Sequence, residues 1–265
     1  MQPTCFYEPL GEGGRYRATS ATAGPWDAAA QHGGPPAALL ATAIEACEPV
    51  PGLRLARITV ELLRPVPVSD VVVEARVVRP GRRVRLVEAS LAADGQAVAL
   101  ARAWQIASQP DLLSPQPLSP PPQLPTARPV RFFDGSTAIT GYAAAVEWRF
   151  VSGGFDALGS AEVWTRVRIP LLAGQPLSGL QRLLIVADSA NGVSGVLPFS
   201  DWVFVPTALT VTLHRHPLGE WTFMRAKTSL SDDGIGSCQA ELADATGPVG
   251  TASQPLVITR RTLER

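Results

Sequence analysis

Residues 109–129 read QPDLLSPQPLSPPPQLPTARP, and no chain can thread such a segment through the middle of a sheet or a helix. Proline lacks the amide donor that a ladder or a helical turn needs, and it holds the backbone extended. The segment therefore reads as a semi-rigid connector of polyproline type. It divides the 265 residues into two lengths that each suit one folding unit. The expected organisation is an N-terminal repeat over 1–108, a proline-rich connector over 109–130 and a C-terminal repeat over 131–265.

The two lengths carry one pattern. In the first, Gly33-Gly34-Pro35-Pro36 precedes AALLATAIEA, a run of strong helix formers that accepts proline in its first turn. Four β-rich runs follow, over 55–64, 71–79, 83–92 and 97–107, with Asp94-Gly95 as a hairpin signal between the last two. In the second length, strands are expected over 147–151 and 161–169. A helix is expected over 178–194, where Leu180, Leu183, Leu184, Ala187 and Ala190 recur at helical spacing. Four more strands are expected over 207–215, 221–230, 235–243 and 249–258. Thr59 to Pro65 (TVELLRP) lies on Thr210 to Arg215 (TVTLHR), and Gln105 on Gln254, at a constant offset of about 150 residues. A helix covered by a four-strand meander, occurring twice, predicts an α+β fold.

Composition narrows the partners. Charged residues are 17% of the chain and balance to zero, which argues against nucleic acid as the main partner. Three scattered cysteines and three histidines, without a CxxC pair, predict no metal site and no disulfide framework. That cysteine usage fits a reduced, cytoplasmic protein. Residues 1–15 lack a basic segment followed by an apolar run, and no apolar stretch approaches the roughly 20 residues that span a bilayer, so neither a secretory signal nor a membrane partner is expected.

The segments GPWDAAAQHGGPPAALLATAIEA and LLRPVPV resemble the first half of the type II acyl-CoA thioesterases, and LLIVADSANG, LTVTLHRHPLGEW and GTASQPLVI resemble the second half. The likeness covers nearly the whole chain apart from the connector. It implies a double hotdog fold, hydrolysis of acyl-CoA thioesters by a directed water, a place in fatty acid metabolism and no cofactor. Hotdog units commonly assemble further, so it also admits a homodimer of double hotdogs.

Thioester hydrolysis needs an activated water and a stabilised oxyanion. The resemblance puts the catalytic carboxylate at Asp188, in the middle of the second helix, where an acid is unfavourable unless it faces a polar cavity. It puts the catalytic glutamine at Gln254 in the last strand. Where the family has threonine or serine this chain has Pro206, so the hydroxyl is assigned to the adjacent Thr207, with Thr210 behind it. His32, Gly33 and Gly34 open the first helix and read either as an oxyanion or acyl-binding loop or as ordinary loop-to-helix chemistry. The first helix has no acid matching Asp188, so one half of a duplicated site is expected to have lost its chemistry. Arg79, Arg82, Arg83 and Arg85 read as a solvated hairpin tip, with coenzyme A phosphates as the alternative.

Two rival functions follow from the same residues. Asp27 and His32 are five apart, a spacing used by hotdog hydratases of enoyl thioesters, but Ala28, Ala29, Ala30 and Gln31 fill the interval where those enzymes have asparagine and proline. Loss of the family threonine would also suit an acyl-thioester binder without turnover.

Overall fold

The computed structural model describes residues 3–114, 119–133 and 139–261, so the connector is described except at 115–118. In chain order the first half holds β1 (Tyr7–Pro9), β2 (Arg15–Ala18), α1 (Gly34–Ala46), β3 (Leu53–Leu62), β4 (Asp70–Arg79), β5 (Val84–Ala93) and β6 (Gln96–Ala107). The second holds α2 (Gly141–Ala144), β7 (Val146–Gly154), β8 (Ala157–Val167), α3 (Gly179–Ala187), α4 (Ala190–Val193), β9 (Trp202–Pro206), β10 (Ala208–Leu213), β11 (Trp221–Leu230), β12 (Ile235–Asp244) and β13 (Gly247–Arg260).

Helix α1 is apolar except for Thr42 and Glu45, and so apolar a helix has to be largely surrounded by protein. Its residues from Gly34 to Ala41, and Ile44, are all buried. Helix α3 buries Leu180 and every residue from Leu183 to Ala187. The two helices pack on each other, joined by Gln181 Nε2 donating to Thr42 Oγ1 at 3.0 Å. Around them the described strands form one sheet in the order β1-β2-β4-β5-β6-β3-β10-β13-β12-β11-β8-β7, with β9 paired to β13. Counted inward from either edge, the two halves place corresponding strands in the same order. The seam is the antiparallel pair β3·β10, in register at Thr59 and Thr210. The sheet's ends come back together, because Phe6 N–H donates to Pro170 O at 3.0 Å and Tyr7 N–H to Leu171 O at 2.9 Å.

Turn chemistry sets the registers. Asp94 (φ 48°) and Gly95 (φ 74°) make the two-residue loop between β5 and β6 in the left-handed conformation that the strand twist favours. The connector carries no regular secondary structure where it is described, yet it is bound: Trp164 Nε1 donates to Pro122 O and Arg149 Nη1 to Pro125 O, each at 3.0 Å. Strands β1, β2 and β9 have no counterpart among the expected elements. The helix expected over 178–194 is broken, with α3 ending at Ala187 and α4 restarting at Ala190. No described helix is long and apolar enough to cross a membrane. Cys5 and Cys238 are buried, Cys47 is half-buried, and all three are free thiols.

Candidate active site

The last carbonyls of a helix have no partner within it and must be met by something else. The break after Ala187 puts Asp188 at the C-terminal cap of α3, with both its carbonyl and its carboxylate free of the helix. This corrects the mid-helix position expected from the apolar periodicity. Gln254, from β13, meets both groups: its Nε2 donates to Asp188 O at 3.0 Å and to Asp188 Oδ1 at 2.9 Å. Its Oε1 accepts from Asn191 N–H at 3.3 Å, and Asn191 Nδ2 donates to Phe204 O at 2.9 Å. Asp188, Asn191 and Gln254 are each at most 5% exposed, and the network uses both Nε2 protons of Gln254 and one of the two lone pairs on its Oε1. Gln254 therefore stands behind Asp188 and holds it.

The other carboxylate oxygen, Asp188 Oδ2, lies 3.2 Å from His32 Nδ1. The glycines after His32 make that approach feasible. A Cβ on Gly33 would sit 2.7 Å from Asp188 Oδ2, and one on Gly34 would sit 1.9 Å from Ile185 O. The Gly33-Gly34 pair is thus required by the crossing of α1 on α3. Gly34→Ala forces the backbones apart, at a cost of about 1–3 kcal/mol. A fall in Tm accompanied by loss of activity is the expected result, and a native Tm would refute the crossing as described.

The donors around His32 fix its tautomer. Gly34 N–H donates to Nδ1 at 3.1 Å, so Nδ1 carries a lone pair. Tyr142 OH donates to Ile185 O at 2.9 Å, so the Ser189 hydroxyl, 2.8 Å away, donates to the tyrosine oxygen. That leaves Ser189 Oγ to accept from His32 Nε2–H, at 3.4 Å. The imidazole also stacks on Tyr142, with centroids 3.7 Å apart and planes 8° from parallel. Burial pushes the His32 pKa below its ordinary value, against the opposing pull of Asp188, so the ring is neutral at neutral pH. Burial likewise pushes the Tyr142 phenol far up and keeps it a donor. Asp188 Oδ2 and His32 Nδ1 therefore bond only when a proton sits between them.

Asp188 and His32 open on a cavity of about 690 Å³. Pro206 and Thr207 both line it, because the chain passes from β9 to β10 at Thr207 and strand alternation lapses there. Thr210 is placed elsewhere: it pairs with Ser253, one residue and one sheet face away from Gln254, and its hydroxyl is 3.1 Å from that of Thr59. Asp27 also lines the cavity, but its Oδ1 accepts from Ala29 N–H at 2.8 Å in its own turn.

The basic cluster divides. Arg79 reaches over its turn to Val84 O at 2.9 Å. Arg85, expected at a solvated tip, is buried and donates to Gln105 Oε1, to Glu48 O at 2.6 Å and to Cys47 O at 2.9 Å. The register does not keep the expected pairing of Gln105 with Gln254: Arg102 faces Thr59 where Ser253 faces Thr210, so Ala103 stands in the place of Gln254 and Gln105 in that of Leu256. At the end of α1 an arginine takes helix carbonyls, as Gln254 does at the end of α3. Tyr142, Ser189 and Asn191 were not singled out from sequence. The run Ser189-Ala190-Asn191, polar within an otherwise apolar helix, was the available signal; nothing around Tyr142 offered one.

The family model of the acyl-CoA thioesterase N-terminal domain matches residues 22–106, and that of the acyl-CoA thioesterase C-terminal domain matches residues 117–258. A search of curated proteins finds no match. Among solved structures, a protein with a hot dog fold from Alicyclobacillus acidocaldarius is 17% identical, covers 94% of this chain and 93% of its own, and superposes with a TM-score of 0.72. An acyl-CoA thioesterase II from Mycobacterium marinum is 16% identical, covers 98% and 96%, and gives a TM-score of 0.65. These likenesses establish a hot dog fold. With both domain models matched in order along the chain, the protein belongs to the acyl-CoA thioesterase family.

Proposed function

We propose that the protein is a double hotdog enzyme, with repeats over 1–108 and 131–265 joined by the connector, that hydrolyses acyl-CoA thioesters at one site per chain. The observation that carries this reading is Asp188: a carboxylate on the cavity wall, held from behind by Gln254 and faced by the His32 lone pair. Asp188 takes a proton from water as the water oxygen bonds to the thioester carbonyl carbon. The proton then lies between Oδ2 and His32 Nδ1. The oxyanion forms against the start of α1, where the helix dipole is positive. Proline at 35 and 36 brings no amide there, Gly34 N–H is committed to His32, and Gly33 N–H has no acceptor among the described residues. Collapse of the intermediate breaks the C–S bond, and the coenzyme A thiolate takes the proton back from Asp188. Thr207 supplies the hydroxyl that orients the water. In the first half the register puts Ala103 in the place of Gln254, which supports a single working site.

Gln254 acts on this reaction through Asp188, as a positioning residue. In a thiol-release assay with acyl-CoA, Gln254→Leu is expected to lower kcat by about a hundred-fold, the scale of a small misplacement of a reacting group, with little change in KM. Native turnover in the variant, or no thiol release by the native protein from any acyl-CoA, would sink the proposal.

A further inference from the structure

Aromatic residues are only 6% of this chain, yet they wall the cavity beside Asp188. The ring contacts form a continuous series that begins at the catalytic end. Tyr142, stacked on His32, meets Trp148 at a centroid distance of 6.2 Å, and Trp148 meets Phe155 at 5.0 Å. Phe155 meets Phe133 at 5.1 Å, Phe133 meets Phe199 at 4.3 Å, and Phe199 meets Trp26 at 4.4 Å. All of these line the main cavity.

A side chamber of about 270 Å³ opens beside it and shares Phe133, Phe155, Gly192 and Phe199 with it. Gly192, four residues beyond Asp188, adds no side chain between the carboxylate and these rings; a Cβ there would already touch Phe133 at 3.7 Å. A cavity of about 150 Å³ is enough to take benzene, so the chamber, lined also by Asp156 and Ser200, has the volume for a ring.

A methylene chain gains burial against any apolar wall, whereas a ring also gains offset-stacked and edge-to-face contacts that only aromatic walls provide. We infer that the acyl group this site takes carries an aromatic ring close to the thioester carbonyl, as in arylacetyl and benzoyl thioesters, in preference to a straight saturated chain. This rests on the cavity being the acyl-thioester site. Two ring contacts formed in place of aliphatic ones correspond to about a ten-fold preference.

The test compares S-(2-phenylethyl)-CoA with S-octyl-CoA, thioethers that cannot be hydrolysed, by calorimetry on the native protein. It also compares phenylacetyl-CoA with octanoyl-CoA, of equal carbon number, by thiol release. The expected result is tighter binding of the phenylethyl thioether and a higher kcat/KM for phenylacetyl-CoA, each by about ten-fold, with Phe133→Leu and Phe199→Leu moving both ratios toward one. Equal affinities, or a preference for octyl, would assign the rings to a part common to both ligands, such as the adenine, and overturn the inference. Ring preference in binding without thiol release would uphold it while defeating the thioesterase reading.

Discussion

Asp188→Asn is expected to lower kcat for acyl-CoA hydrolysis by about a thousand-fold while leaving the fold in place, since general-base catalysis contributes on the order of 10²–10⁴. The substitution is nearly isosteric, and the surroundings of Asp188 accept it. Gln254 Nε2 now donates to a carboxylate oxygen at 2.9 Å and would donate equally well to an amide oxygen. His32 Nδ1 lies 3.2 Å away with its one lone pair accepting from Gly34 N–H, and the new amide nitrogen would share that acceptor. The bonds from Gln254 survive and the proton acceptor is lost. Steady-state thiol release and a thermal melt on the same preparation decide the matter. A collapsed rate with a native Tm isolates the chemistry; a native rate would mean that another group takes the proton, and the assignment of Asp188 would fall.

The site was legible in sequence to the extent that it is built from residue types a family shares, and illegible where it depends on a backbone break. Residues 178–194 hold helical periodicity through Ala187 and Ala190, so nothing in the pattern reveals that α3 stops at Ala187. That stop is what exposes Asp188 O to Gln254, so that the glutamine meets both the carbonyl and the carboxylate of Asp188. The position of Thr207 was obscured for a similar reason. Alternation predicts that neighbours 206 and 207 face opposite ways, and the junction of β9 with β10 brings both to the cavity. The covering strands were the easiest to read, since Asp94-Gly95 and the β-rich runs carry strong local signals. Strands β1 and β2 were missed because three or four largely exposed residues at a sheet edge show no apolar period.

Arg85 shows how the two halves meet a helix end with different residues. In sequence it belongs to a run of arginines at a turn, and such runs are usually solvated. Its burial follows from its place in β5, whose residues alternate between half-buried and fully buried. Its guanidinium satisfies the carbonyls of Cys47 and Glu48 at the end of α1, so it is fixed by the helix it terminates. A permanent cation there supplies no base, which agrees with the absence from α1 of an acid matching Asp188.

Arg215→Met should cost about 3–5 kcal/mol, the larger of the expected stability losses, because it leaves a buried carboxylate without its cation. Asp244 is 1% exposed and lies at the end of β12, and Arg215 grips it with two bonds, Nη1 to Oδ2 at 2.6 Å and Nη2 to Oδ1 at 2.7 Å. Burial by itself would raise the Asp244 pKa, but Arg215, Thr246 and the amides of Leu218 and Thr246 outweigh it and hold the carboxyl at about 2. The same guanidinium donates to Pro248 O at 2.8 Å and to Gly247 O, so one side chain ties the segment after β10 to the start of β13. Because the pKa is depressed, this stabilisation is present above the ordinary carboxylate value of 3.8 and disappears as pH falls through about 2. At neutral pH the whole of it is at risk, and a chain of this size should lose about 10 °C in Tm. Removing both partners, as Arg215→Met with Asp244→Leu, should cost less than removing the arginine alone, since no buried charge is then stranded. Thermal melts of the two variants at neutral pH test this. If the single substitution melts within a degree or two of the native protein, the pair contributes nothing to stability, and its geometry serves only to set the register of the β12–β13 hairpin from which Gln254 reaches Asp188.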